Sequence, residues 1–208
     1  MAETSIEFAS LLCSRLCHDL LSPVGAINNG IEMLADEDDP SMRARWLELL
    51  AESARTSAEK LKFFRLAFGA GGGFGETIDT NEIRKAIEGL LFGNSKIVLG
   101  WIVDVPAMPK NAARILLNLA MIAIDTLIRG GRLDIGVEGG EIVLRAEGGR
   151  LVLADDIRAA LTGADDQPPV SRTAQAWLAR TLAAGLGARI AVGDAEPGVL
   201  LFGTVIPA

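Results

Sequence analysis

Cysteine, positive charge and long apolar runs are scarce or absent in this chain, and each shortage removes a class of function. There are two cysteines in 208 residues, too few for a disulfide framework, which points to a reducing, cytoplasmic compartment. Positive charge is outnumbered: 20 Lys and Arg stand against 27 Asp and Glu, for a formal net charge of −7. A nucleic-acid binder needs a basic face to neutralise phosphates, so that class drops out. No apolar run reaches the roughly 18–20 residues of a spanning helix. The opening Met1-Ala2-Glu3-Thr4 also lacks the basic-then-apolar pattern of a signal peptide. What remains is a chain 50% hydrophobic, long enough for one or two domains with a substantial core.

The first 68 residues carry hardly any strand signal. Thr4-Ser5-Ile6-Glu7 reads as a capping box, after which apolar residues recur at helical spacing from Ile6 through Leu12, Leu16, Leu20 and Ile27 to Leu34. The acidic cluster Asp36 to Asp39 ends this helix, and Asp39-Pro40 suits the cap and first position of the next. A second stripe follows through Met42, Trp46, Leu50, Ser53, Leu61, Phe64 and Phe68, stopping at Gly69. Two helices of about 28–32 residues, ~45 Å each, joined by a short turn make an antiparallel hairpin. Its apolar load exceeds what one facing helix can cover, so a homodimeric four-helix bundle is expected, with packing of the hairpin on the rest of its own chain as the alternative.

Residues 71–77, rich in glycine, read as a linker between a hairpin domain (1–70) and a second domain (78–208). The second domain mixes helices (from Asp79 to about Phe92, Lys110 to Ile128, Arg172 to Leu186) with strands. The strands are expected at 97–103, 132–137, 142–146, 151–153, 189–192 and 199–206. The whole is therefore expected to be α+β, with a C-terminal α/β sandwich of helices layered on a mixed sheet.

His18, the one histidine, sits mid-helix and points about 170° from the centre of the apolar stripe, toward solvent. An exposed imidazole is substantially neutral at pH 7 and offers a nitrogen lone pair to a phosphoryl group. Asp19 could orient the ring or accept its other proton. Ser22, one turn on, could bond an attacking water or a phosphoryl oxygen, although a plain surface serine accounts for it equally well. Pro23 removes the helical bond to the carbonyl of Asp19 and suggests no structural purpose from the sequence; a local bend that gives a partner access to His18 is one functional purpose. Leu11, Arg15, Leu21, Ser22, Gly25 and Asn29 surround His18 as candidate partner-binding residues; small and apolar neighbours suit protein docking better than a charged small substrate. Cys13, Cys17 and His18 fit neither haem attachment nor a zinc knuckle, and core packing of the cysteines is the better reading.

His18-Asp19-Leu20-x-x-Pro23 resembles the H-box of two-component histidine kinases, and the context from Leu12 to Ile27, with Arg65 to Ala70 at the hairpin's end, resembles the ChpT-type histidine phosphotransferases. The resemblance implies a phosphorelay intermediate with His18, Asp19 and Ser22 at its catalytic site. Its donor would be the receiver domain of a hybrid histidine kinase, and its acceptors CtrA-like and CpdR-like response regulators. Magnesium would come from the receiver, so this chain would need no cofactor or metal of its own.

The order of elements after residue 78 resembles a histidine-kinase ATPase domain from which the nucleotide groups are missing. In the place of the N-box, Asn118 is kept but the second asparagine position is Ile122, and hydrocarbon cannot coordinate magnesium. Leu153-Ala154-Asp155-Asp156 stands where an Asp-x-Gly-x-Gly box belongs, without the glycine pair. A phosphotransferase without ATP-dependent kinase activity is expected. A degenerate kinase that still binds ATP, and a non-catalytic dimeric adaptor for receivers, are the alternatives.

Overall fold

A computed structural model of the chain describes residues 2–69, 76–164 and 167–207, with side chains from Ile6 onward. Helix α1 spans Ala2–Ala35 and helix α2 spans Pro40–Ala67. The helical backbone of α1 already begins at Ala2, so Thr4 lies inside the first turn and is not its N-cap. Between the helices, Asp39 caps α2: its Oδ1 accepts from the Ser41 amide at 2.7 Å and from the Ser41 hydroxyl at 2.8 Å. These bonds hold the Asp39 carboxyl below its ordinary pKa. Arg43 closes the turn from the other side, donating to the carbonyls of Leu34 and Glu37. Pro40 at the first helical position gives up an N–H that has no helical partner there. Gly30 lets the two helices close, because a Cβ there would stand 2.9 Å from Leu50 Cδ2.

The remainder is a sheet covered on one face by helices. Its elements are β1 (Thr77–Asp79), α3 (Thr80–Leu90), β2 (Ile97–Val103), β3 (Ala107–Pro109), α4 (Lys110–Thr126), β4 (Gly131–Glu138), β5 (Glu141–Glu147), α5 (Asp155–Thr162), α6 (Ala174–Gly185), β6 (Ile190–Glu196) and β7 (Val199–Val205). Five strands pair in the order β2-β4-β5-β7-β6; the β2/β4 pair is parallel and the rest are antiparallel. The β4–β5 turn falls on Gly139-Gly140, both at positive φ (+53° and +85°), the conformation a two-residue hairpin needs to match strand twist. Strand faces alternate: Leu133, Ile135, Ile142, Leu144, Ala146 and Phe202 are buried under the helices. Helix α4 is buried almost all round, from Ala112 to Ala123, as a central helix packed on several sides must be.

Two sequence expectations in the second half differ from this structure or fall partly outside it, and two elements were not foreseen. Residues 151–153 form no strand; the amide of Val152 makes one bond, to the Thr126 carbonyl, too little to join a ladder. Asp155-Asp156, which stand in the place of the Asp-x-Gly-x-Gly box, form the first turn of α5, where the helix dipole favours acids; this helix was not foreseen. Thr77 belongs to β1 and pairs with Pro109, so the expected 71–77 linker overlaps a strand at its end, while residues 71–75 lie outside the described residues. The short ladder of β1 and β3 was also not foreseen.

The hairpin is rooted in the core of the α/β part. Phe63, Phe64, Leu66 and Ala67 of α2 belong to the same buried cluster as Ile83, Ile87, Leu116 and Phe202. Higher up, Phe8 of α1 meets Trp177 of α6 with ring centroids 4.6 Å apart.

Candidate functional site

His18 stands on the open side of α1 with 83% of its side-chain surface exposed. Around it Leu21 is 69% exposed, Ser22 and Asn29 are exposed, and Leu11 and Gly25 are partly covered. A Cβ at Gly25 would meet nothing within 4 Å, so the backbone itself is accessible there. One expected docking residue differs. Arg15 is committed to an ionic contact on both sides of its guanidinium and is only 23% exposed, because a carboxylate from the second half of the chain reaches it.

Asp19, next to His18, makes three contacts. Its Oδ1 lies 3.2 Å from His18 Nδ1, and its Oδ2 accepts from Arg15 Nε at 2.9 Å. Its main-chain carbonyl accepts from Lys60 Nζ of α2 at 2.9 Å. The last contact supplies the purpose that Pro23 lacked. Pro23 is buried inside α1, and its ring nitrogen cannot bond the carbonyl four residues back, which is that of Asp19. The vacant carbonyl is filled from the facing helix by a cation, placing positive charge one residue from the imidazole. An ionised carboxylate only accepts hydrogen bonds, so the ring nitrogen facing it is the donor. In the neutral ring this geometry favours the proton on Nδ1, with Nε2 on the side open to solvent.

The far side of Arg15 donates from Nη2 to Asp125 Oδ2 at 2.9 Å. Burial opposes the charge on Arg15, but Asp125 and Asp19 outweigh it and hold the guanidinium above its ordinary pKa. Surrounding protein pushes the Asp125 carboxyl up, against the opposite pull of Arg15. Neither Lys60 nor Asp125 was foreseen. Lys60 left a trace in the sequence, since a proline-freed carbonyl needs a donor from somewhere; Asp125 left none, being 110 residues from its partner in the chain.

Asn118 and Ile122, the positions that the sequence resemblance aligns with the N-box, are both buried. Asn118 is completely buried; its Nδ2 donates to the Ala67 carbonyl at 3.1 Å and to the Arg114 carbonyl at 2.7 Å, tying α4 to the end of α2. The nearby cleft, lined by Arg15, Ile122, Asp125, Ile157, Arg172 and Gln175, holds about 210 Å³, below the roughly 300–1,000 Å³ of ordinary ligand pockets. Asp156 is engaged by Arg172. Cys13 and Cys17, expected in the core, are both exposed. Helix α2 covers one side of α1 only, and the cysteines lie on another flank, with Ile6, Val24 and Ile31.

Comparison with known proteins agrees with this arrangement. Residues 80–198 match the family model of the histidine phosphotransferase C-terminal domain. Protein phosphotransferase ChpT of Brucella abortus (strain 2308) is 40% identical over 134 residues, which is 62% of this chain and 60% of that protein; the match thus spans less than two thirds of the relative. A solved structure described as a bacterial phosphotransferase superposes with a TM-score of 0.83 at 30% identity, covering 96% of each chain. The histidine kinase AdeS of Acinetobacter baumannii gives a TM-score of 0.45 at 14% identity over 91% of this chain and 96% of that one, too distant a likeness to carry residue roles. A family model matched over more than half of the chain, and a phosphotransferase fold superposed over nearly all of it, establish that this chain belongs to the ChpT-type histidine phosphotransferases.

Proposed function

We propose that this protein relays a phosphoryl group between response-regulator receiver domains through a phosphohistidine at His18. The observation that carries the reading is an open imidazole whose Nδ1 is fixed by Asp19, leaving Nε2 as the exposed nucleophile. In the first step Nε2 attacks the phosphorus of a receiver's aspartyl phosphate. The N–P bond forms, the P–O bond to the carboxyl breaks, and the receiver's aspartate departs as a free carboxylate. The ring becomes cationic and keeps its Nδ1 proton, which Asp19 stabilises as the charge develops. The reverse chemistry on a second receiver delivers the group: its aspartate attacks phosphorus and the imidazole leaves neutral. The divalent cation comes with the receiver, whose acidic site brings its own oxygen ligands. Ser22, exposed one turn from His18, is positioned to bond a phosphoryl oxygen. Leu11, Leu21, Gly25 and Asn29 form the docking surface.

The donor in this reading is the receiver of a hybrid histidine kinase, and the acceptors are CtrA-like and CpdR-like regulators, as ChpT-type proteins imply, with the relay in the cytoplasm. Residues 1–70 act as the phosphotransfer and dimerisation unit and 78–208 as a kinase-like unit without kinase chemistry. The test is to incubate the protein with a receiver carrying labelled aspartyl phosphate and to locate acid-labile phosphate by mass spectrometry. Label on His18 that moves on to a second receiver supports the relay; receiver binding that survives His18→Ala, with no label transferred to wild type or variant, means an adaptor instead.

Loss of ATP-driven phosphorylation is part of the same proposal. It is supported by the burial of Asn118 and Ile122 and by the small volume of the adjoining cleft. Titration calorimetry with magnesium-ATP is expected to give no heat up to millimolar nucleotide; micromolar binding would favour a degenerate kinase.

Dimerisation is supported by apolar residues on the flanks of the hairpin seam. Ile6, Val24 and Ile31 of α1 and Leu47 and Leu61 of α2 are each at least half exposed. Covering the remaining exposed part of such side chains contributes on the order of 1 kcal/mol apiece. The double substitution Val24→Asp with Ile31→Asp is expected to convert a dimer to a monomer by light scattering, with little change in helicity. A wild type that is already monomeric at tens of micromolar would refute the dimer.

A further inference from the structure

We infer that the second half of the chain sets the reactivity of His18 through an ionic chain, Asp125–Arg15–Asp19–His18, in which Asp125 is a positioning residue that selects the tautomer of the imidazole. The inference rests on His18 being the phosphoryl carrier. It goes further in giving the kinase-like unit an active part in the reaction at His18.

The geometry is that of one guanidinium shared between two carboxylates. Arg15 donates from Nε to Asp19 Oδ2 and from Nη2 to Asp125 Oδ2, both at 2.9 Å. The guanidinium is planar and rigid, so anchoring one edge on Asp125 fixes the direction of the other. Asp19 therefore receives a single bond from Arg15, on Oδ2, and its Oδ1 remains for His18 Nδ1. Without Asp125 the arginine is free to turn its two-pronged edge onto Asp19. A fork-to-fork pair uses both carboxylate oxygens, and the ring loses its acceptor. An imidazole with no partner in water prefers the proton on Nε2, the nitrogen that must keep its lone pair to attack phosphorus. Asp125 thus protects the nucleophile by dividing the arginine.

The other charged group at the site reinforces this. Lys60 holds the carbonyl of Asp19 and so fixes the backbone of the same residue whose side chain the arginine orients. Asp125 ends α4, the helix whose Asn118 is bound to the root of the hairpin. A movement of the kinase-like unit relative to α1 would reach the imidazole first through this contact.

The only histidine in the sequence makes the test direct. Long-range proton–nitrogen spectra of the full chain labelled with ¹⁵N-histidine report the His18 tautomer with no partner present. Wild type is expected to show the Nδ1–H form. Asp125→Asn is expected to move the ring toward the Nε2–H form and to slow transfer from a phosphorylated receiver on the order of tenfold, a coupling typical of one shared ionic network. Arg15→Lys, which keeps the charge but cannot fork onto both oxygens of Asp19, is expected to hold the Nδ1–H form even when combined with Asp125→Asn, and Asp125→Glu to restore most of both signals. Trp177→Ala removes the neighbouring ring contact with Phe8 and leaves the ionic chain; it is expected to lower Tm without moving the tautomer. The inference is overturned if Asp125→Asn leaves the tautomer and the transfer rate at wild-type values, or if Trp177→Ala shifts the tautomer as far. Failure of the carrier role is distinguishable, because a wild type that takes no label would still show the tautomer response.

Discussion

In a relay reconstituted from a phosphorylated donor receiver, this protein and an acceptor receiver, His18→Ala is expected to take no label and to pass none on. The loss should exceed about a thousandfold, because a covalent relay has no route around its missing nucleophile. No second histidine exists to substitute. Folding should be untouched: the side chain is 83% exposed, and surface replacements of this kind usually change stability by less than ~0.5 kcal/mol. Receiver binding should persist as well, since the proposed docking surface is made by Leu21, Ser22, Gly25 and their neighbours. The informative result is thus binding kept and transfer lost. Label on His18→Ala would identify another carrier, and the exposed thiol of Cys17 beside it would be the place to look.

Phe64→Ala has the largest expected effect on stability. Phe64 is 1% exposed at the root of α2, with ring centroids 5.9 Å from Phe63 and 5.1 Å from Phe68. Truncating a buried phenylalanine costs ~3–5 kcal/mol through lost transfer energy and the cavity left behind. At ~2–4 °C per kcal/mol for a chain of this size, Tm should fall by roughly 6–20 °C. The hairpin root and the sheet share one core, so helical and tertiary signals should be lost together in a single transition. Two separated transitions, with only the helical one displaced, would show that hairpin and sandwich are independent bodies.

That shared core marks where the sequence could be read and where it could not. The hairpin was legible because long amphipathic helices repeat their pattern many times, and because Asp39-Pro40 is a local signal that the structure uses as expected. The central strands were legible for a similar reason: β2 lies at the expected 97–103, and Leu133, Ile135, Ile142 and Leu144 alternate inward. Helix α5 was hidden because eight residues carry barely two turns of periodicity and its acids mimic a loop. Asn118 was noticed as a surviving nucleotide residue, yet it is spent on the carbonyl of Ala67, a partner that nothing in its neighbourhood announces.

The amino-acid sequence alone determined that His18 faces outward on a long helix, that Asp19 is beside it, and that Pro23 frees a main-chain carbonyl. Each follows from helical periodicity or from the covalent chemistry of proline, which act over a few residues. Only the tertiary structure decided what fills that carbonyl and what holds Asp19 in place. Lys60 comes from the opposite helix and Asp125, through Arg15, from the far half of the chain. Hydrogen bonds and ion pairs act over about 3 Å in space whatever the separation in sequence, so these partners exist only once the chain has folded.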